Sequence, residues 1–173
     1  MIVSPCAIPP SSALDRALIE RAYFWDSYRA RLAHRPATMV DIFFALFGHH
    51  PGWIKALLIV RNKVAGWGGL EAPTVSEIVD PSRKTHYAVG DKIGPWPIFV
   101  LADDELIAGR DNKHLDFRLS LMRVDDGGAP SVVVSTICTV HNLFGRIYLT
   151  FIIPFHKWGV KLLILRAISS GRL

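Results

Sequence analysis

Two groups of side chains in this sequence could do chemistry. The first centres on one carboxylate. From Arg21 to Leu32 the residues alternate, with Ala22, Phe24, Tyr28, Ala30 and Leu32 on one side and Arg21, Trp25, Ser27, Arg29 and Arg31 on the other, and Asp26 falls in the apolar set. A lone carboxylate on an apolar face is costly unless it is held neutral or met by a donor, for which Arg61 is the candidate. Asp26 is therefore a satisfied structural acid, or the polar anchor or general acid–base group of a pocket, which makes it the catalytic candidate, or, with the strand phase reversed, a water-facing residue. The second group is His114, His141 and Asp111, whose imidazoles and carboxylate are ordinary zinc ligands. No tight spacing joins them, and Arg146, read beside His141, would repel a cation, so no metal is expected. The sequence lacks a Gly-x-Ser-x-Gly elbow, a phosphate loop and a His-Glu-x-x-His helix. The glycines of Gly66-Trp67-Gly68-Gly69 are not followed by the helix and lysine of a nucleotide site. No cofactor is expected.

The elements that must position these groups follow from pattern. Arg21 to Leu32 reads as a first strand. Thr38 to Asp41 has the Thr-x-x-Asp form of a helix start, and Val40, Phe43, Phe44 and Phe47 follow at helical spacing until Gly48. A second helix is expected from Pro51, with Trp53, Leu57, Val60 and Val64 on one face, and then a polar excursion from Leu70 to Tyr87. Turn residues next separate strands at Trp96 to Leu101, Glu105 to Gly109, Lys113 to Val124, Val132 to His141 and Arg146 to Ile153. Short turns make these an antiparallel meander. Pro154 is expected to open a long last helix ending near Ser169. The fold class is α+β, with residues 1–18 as a loose arm and 19–173 as one domain.

Centring one hairpin on Gly127-Gly128 and the next on Leu143-Phe144 sets a register. Leu115, Val140 and Ile147 share a row, followed by Phe117, Cys138 and Leu149, then Leu119, Thr136 and Phe151, then Leu121, Val134 and Ile153. This face is almost wholly apolar and needs a cover, for which Phe155, Trp158, Leu162 and Leu165 of the last helix are expected. The opposite face, with His114, His141, Arg146, Asp116, Thr139, Tyr148, Arg118, Ile137 and Thr150, reads as the solvated side.

Composition bounds the function classes. A chain of 173 residues, half of them apolar, can bury a core without staples, and Cys6 and Cys138 alone support neither a disulfide framework nor a cysteine zinc site. A reducing cytoplasm fits, and Met1 to Ser12 does not read as a secretory signal. The apolar stretch from Ile147 to Ile168 is interrupted by Pro154, His156, Lys157, Lys161 and Arg166, and is expected to be core rather than membrane. The net charge is +5, yet no acidic residue follows Asp126, so the excess rests on Arg146, Lys157, Lys161, Arg166 and Arg172. This basic C-terminal region is expected to be either a solvated face or a weak contact for an anionic membrane surface. No basic-aromatic module points to nucleic acid.

The order of elements resembles the helix-grip fold of the birch-pollen-allergen, START-domain and polyketide-cyclase (SRPBCC) superfamily, in which a curved sheet grips the last helix around an apolar cavity. The stretches "FGHHPGWIKALLIVRNKVAGWGGL", "VGDKIGPWPIF", "ELIAGRDNKHLDFRLSL", "VVVSTICTVHNLFGRIYLTFIIPFH" and "GVKLLI" are similar to the bacterial family called domain of unknown function 2867, over about Val40 to Leu173. That resemblance implies a fold and no chemistry. Three functions stay open. One is a domain that holds a small hydrophobic or amphipathic molecule between sheet and last helix, lined by Asp26, Tyr28, Arg61, Phe117, Leu119, Thr136, Cys138, Leu149 and Trp158. The second is a cyclase- or hydratase-type enzyme using Asp26, and the third a packed scaffold or partner-binding domain.

Overall fold

The computed structural model describes residues 3–33, 38–49, 83–125 and 130–173. The expected helix from Pro51, the donor Arg61 and most of the Leu70 to Tyr87 excursion lie outside the described residues. Seven strands form one antiparallel sheet: β1 (Ser4–Pro5), β2 (Phe24–Arg31), β3 (Lys92–Ile93), β4 (Trp96–Leu101), β5 (Glu105–Asp111), β6 (Leu115–Asp125) and β7 (Pro130–Val140). Their order is β1-β2-β7-β6-β5-β4-β3. The meander β4 to β7 joins consecutive strands, and β2 closes beside β7. The hairpin of β6 and β7 has the register that a turn at Gly127-Gly128 requires, pairing Leu115 with Val140, Phe117 with Cys138, Leu119 with Thr136 and Leu121 with Val134.

Among the described residues three helices accompany the sheet. The short α1 (Arg16–Glu20) is capped by Asp15. The second, α2 (Met39–Phe47), has the capping box read from Thr38 and Asp41, each side chain meeting the other's backbone amide, and Gly48 ends it. The third, α3 (Leu143–Ser169), corrects the sequence reading: the expected strand from Arg146 to Ile153 is its first half, and Pro154 lies inside it rather than at its start. Asn142 decides the matter. Its Oδ1 accepts from the Gly145 amide at 3.1 Å while its Nδ2 donates to the Lys113 carbonyl at 3.0 Å, so the helix begins at once after β7. Gly145 permits the close approach, since a Cβ there would lie 2.3 Å from the His114 carbonyl oxygen.

The main core lies on the front of the sheet. Ile42, Phe43 and Leu46 of α2 pack with Leu106, Ala108, Leu121, Val134 and Ala30 of the strands and with Val160, Ile164 and Ala167 of α3. Each large side chain so buried stabilises the fold by about 1.5–3 kcal/mol. The covering face of α3 is therefore not the expected one, for Phe155, Trp158 and Leu165 are exposed. Only 17% of the most apolar 18-residue stretch of α3 is buried, so the expectation that this segment is core holds for its inner face alone.

The back of the sheet is not solvated across its middle. Met122, Val133, Ile137, Ser120 and Ser135 are buried there, and the N-terminal segment covers part of this face with Leu14, Ile8 and Ile19 against Ile107 and Ile137. This segment, expected to be loose, is held by β1 on β2 and by a carboxylate clasp. Buried Glu105 accepts from Ser12 Oγ at 2.5 Å, from the Ala13 amide at 2.6 Å and from Ser120 Oγ at 2.6 Å.

Candidate functional site

β2 crosses the front face with its alternation as read: Phe24, Asp26 and Tyr28 share the side that meets α3. The pairing of β2 with β7 and of β7 with β6 sets three rows across the sheet, Phe24-Cys138-Phe117, Asp26-Thr136-Leu119 and Tyr28-Val134-Leu121. The middle row is polar, and it falls where the front core divides. On one side Leu115 and Cys138 pack with Tyr148 and Leu149 of α3, and on the other Tyr28, Leu119, Leu121 and Val134 belong to the main cluster.

His156 descends from α3 onto this seam. Its Nε2 lies 3.1 Å from Asp26 Oδ1, and an ionised carboxylate can only accept, so the ring donates. The Phe24 ring meets the imidazole edge to face at 5.5 Å. Asp26 is 8% exposed, and among the described residues its second oxygen, Oδ2, has no hydrogen-bond partner of normal distance and angle; the same holds for the buried Thr136 Oγ1 in the same row. The Tyr28 phenol is pushed up to about 12, first by burial, then by the neighbouring Asp26 charge and a side-chain interaction with that carboxylate. Lys157 and Lys161 sit over the Phe24 and Tyr28 rings at 5.6 and 5.2 Å. The result is a carboxylate–imidazole pair that can hold and exchange a proton, with two adjacent polar atoms still able to take a hydrogen bond.

Of the residues named from sequence, Asp26, Tyr28, Leu119, Thr136 and Cys138 lie on this face, with Phe117 half-buried beside them. Leu149 reaches Cys138 from the helix rather than from a strand, and Trp158 is half-exposed on the outer side of α3. Among the described residues the donor that meets Asp26 is His156, which is not one of the residues named from sequence. The metal candidates do not converge: His114 Nδ1 is 2.9 Å from Asn142 Nδ2, His141 Nε2 is 2.9 Å from Asp116, and Asp111 pairs with Arg118. Among the described residues no three such side chains cluster. A cavity of about 310 Å³ lies on the back face, bordered by Ile8, Pro9, Leu14, Ile19 and Trp25.

Residues 18–163 match the family described as "Protein of unknown function (DUF2867)". The chain belongs to that family. No curated protein and no solved structure matches it. The matched span of the DUF2867 chain contains β2 to β7 and α3 through Leu163, so Asp26, Thr136 and His156 all lie inside the family region. The N-terminal clasp residues Ser12 and Ala13 lie before it.

Proposed function

We propose that this chain binds a small amphipathic molecule between the front of the sheet and α3, in a helix-grip arrangement. The apolar body of the ligand rests along Phe117, Leu119 and Leu149, and its polar end meets Asp26, Thr136 and His156. The observation that carries this reading is the pair of buried atoms Asp26 Oδ2 and Thr136 Oγ1, which have no hydrogen-bond partner of normal distance and angle among the described residues and belong to residues paired across the sheet at the break in the apolar core. A buried polar group left unsatisfied costs about 1–3 kcal/mol, which a ligand hydroxyl, amide or carboxyl would relieve. Pockets of this kind are mostly apolar with a few placed polar groups.

The test uses the full chain purified from its own host and weighed by native mass spectrometry. A co-purified small molecule is expected on the wild type and largely lost from Thr136→Val. The same substitution should raise the stability of the stripped protein by about 1 kcal/mol, because it removes an unsatisfied hydroxyl at constant shape. A bare chain mass, with Thr136→Val merely more stable, would make the domain a packed scaffold instead.

The Asp26–His156 pair also supports an enzyme that uses it for general acid–base chemistry on the bound molecule. His156→Gln separates the two, since an amide can still hydrogen-bond but cannot shuttle a proton. Retention without turnover in that variant, set against turnover by the wild type, would identify catalysis.

A further inference from the structure

α3 has two apolar faces, and among the described residues only one of them is packed against the rest of the protein. Leu149, Val160, Ile164 and Ala167 point inward. At 3.6 residues per turn, Leu143, Ile147, Phe151, Phe155 and Leu165 fall on the opposite side in one stripe about 33 Å long. Leu143, Phe151 and Phe155 are 71%, 70% and 64% exposed. The same turn geometry puts exposed Arg146, Lys157 and Lys161 along one border of the stripe and exposed Arg166 along the other. No acidic residue occurs anywhere after Asp126. An apolar ridge of this length on a folded chain marks a contact surface, and its wholly basic borders specify the charge of what it meets.

We infer that the outer face of α3 docks on an anionic lipid bilayer surface, with the helix lying in the interface plane. Crossing the bilayer is excluded by the packing. Although α3 is long and apolar enough to span, its inner face is fastened to β2, β7 and α2, and hydrocarbon around it would also surround the sheet's polar groups. Lying flat, the aromatic and aliphatic stripe enters the acyl boundary while the lysines and arginines stay among the phosphates. A second copy of the chain fits less well. In an antiparallel two-fold pairing of α3 with α3, the border bearing Arg146, Lys157 and Lys161 meets itself, with no carboxylate on the helix to offset it. This inference does not depend on the ligand reading above.

The experiment is flotation of the full chain with vesicles of phosphatidylcholine alone and vesicles mixing phosphatidylcholine with phosphatidylglycerol, alongside solution mass by light scattering. The wild type should float with the mixed vesicles, weakly with the neutral ones, and less as salt is raised. Lys157→Glu with Lys161→Glu should weaken binding to the mixed vesicles by at least roughly 30-fold, from about 1 kcal/mol per basic residue near the surface. Phe151→Ser with Phe155→Ser alters only exposed side chains, so it should keep the thermal unfolding of the wild type and lose both kinds of vesicle. Indifference of the wild type to both vesicles would overturn the inference, and so would undiminished binding after the phenylalanine substitutions. A dimer that the phenylalanine substitutions convert to a monomer, without vesicle binding, would assign the stripe to a second copy and overturn it too.

Discussion

Asp26 and Ser27, Thr136 and Ser135, and Leu119 and Ser120 are chain neighbours that alternate across the sheet, so one row faces α3 and the next faces the back. On the back, the polar groups of this row are closed on one another and on Glu105. Ser27 Oγ and Ser135 Oγ lie 2.9 Å apart, Cys6 Sγ reaches Ser27 Oγ at 3.4 Å, and Glu105 takes three donors, two of them from the N-terminal segment. On the front, one carboxylate oxygen and one hydroxyl in an equally buried row have no hydrogen-bond partner among the described residues. Burial alone therefore does not mark a site. A closed polar row fastens two layers together, whereas an open one leaves hydrogen-bonding capacity that only something else can use.

Substitutions on the two rows should accordingly differ in kind. The largest effect is expected at the clasp. Glu105→Gln keeps the shape but turns an amide toward donors, so it should lower the free energy of unfolding in urea by about 2–3 kcal/mol. It should also open the N-terminal segment to proteolysis. A change of less than about 0.5 kcal/mol would mean that the back row is not a fastening. On the front, Asp26→Leu removes a partner from His156, which is partly exposed and can turn to water, and a side-chain interaction from the Tyr28 phenol. A cost of about 1 kcal/mol or less is expected, with the co-purified molecule lost. Destabilisation as large as that of Glu105→Gln would place Asp26 among the fastenings and erase the distinction between the faces.

The parts of this arrangement that were legible in sequence are those set by local chemistry. Alternation placed Asp26 among Phe24, Tyr28 and Ala30, the Gly-Gly turn aligned β6 with β7, and Thr38 with Asp41 announced α2. The misreading began at Asn142. Ile147, Leu149, Phe151 and Ile153 are apolar at every second position, which imitates a strand, because α3 is apolar both inward at Leu149 and outward at Ile147 and Phe151. A proline at 154 then looked like a beginning. Asn142 as a cap three residues before Gly145 is the signal that distinguishes helix from strand here, and the helical stripe through Leu149, Val160 and Ala167 that it starts carries His156 toward Asp26. The serine clasp was illegible for another reason. Ser27, Ser120 and Ser135 are ordinary outward residues of their own strands, and it is tertiary structure that buries them, the N-terminal segment reaching Ser27 through Cys6 and meeting Ser120 at Glu105.

The smallest effect is confined to alkaline solution and reports directly on how dry the front row is. Tyr28 is the tyrosine whose phenol is held up to about 12, and burial outranks the Asp26 charge among the causes. An unfolded tyrosine ionises near about 10. Between those two values the folded chain keeps a proton that the unfolded chain has released, so this group's contribution to stability is fully present below about 10 and is lost as pH rises toward 12. The neighbours that face the ring are Asp26 on the same strand and, from α3, Lys161 over its face with His156 beside the carboxylate. Phenolate absorbance of the wild type minus that of Tyr28→Phe isolates the titration. It should centre near 12, and Asp26→Asn should bring it down only part of the way, because the larger cause remains. A wild-type midpoint near about 10 would mean that water reaches the row freely, and the open atoms beside Tyr28 would then be hydrated surface rather than a site.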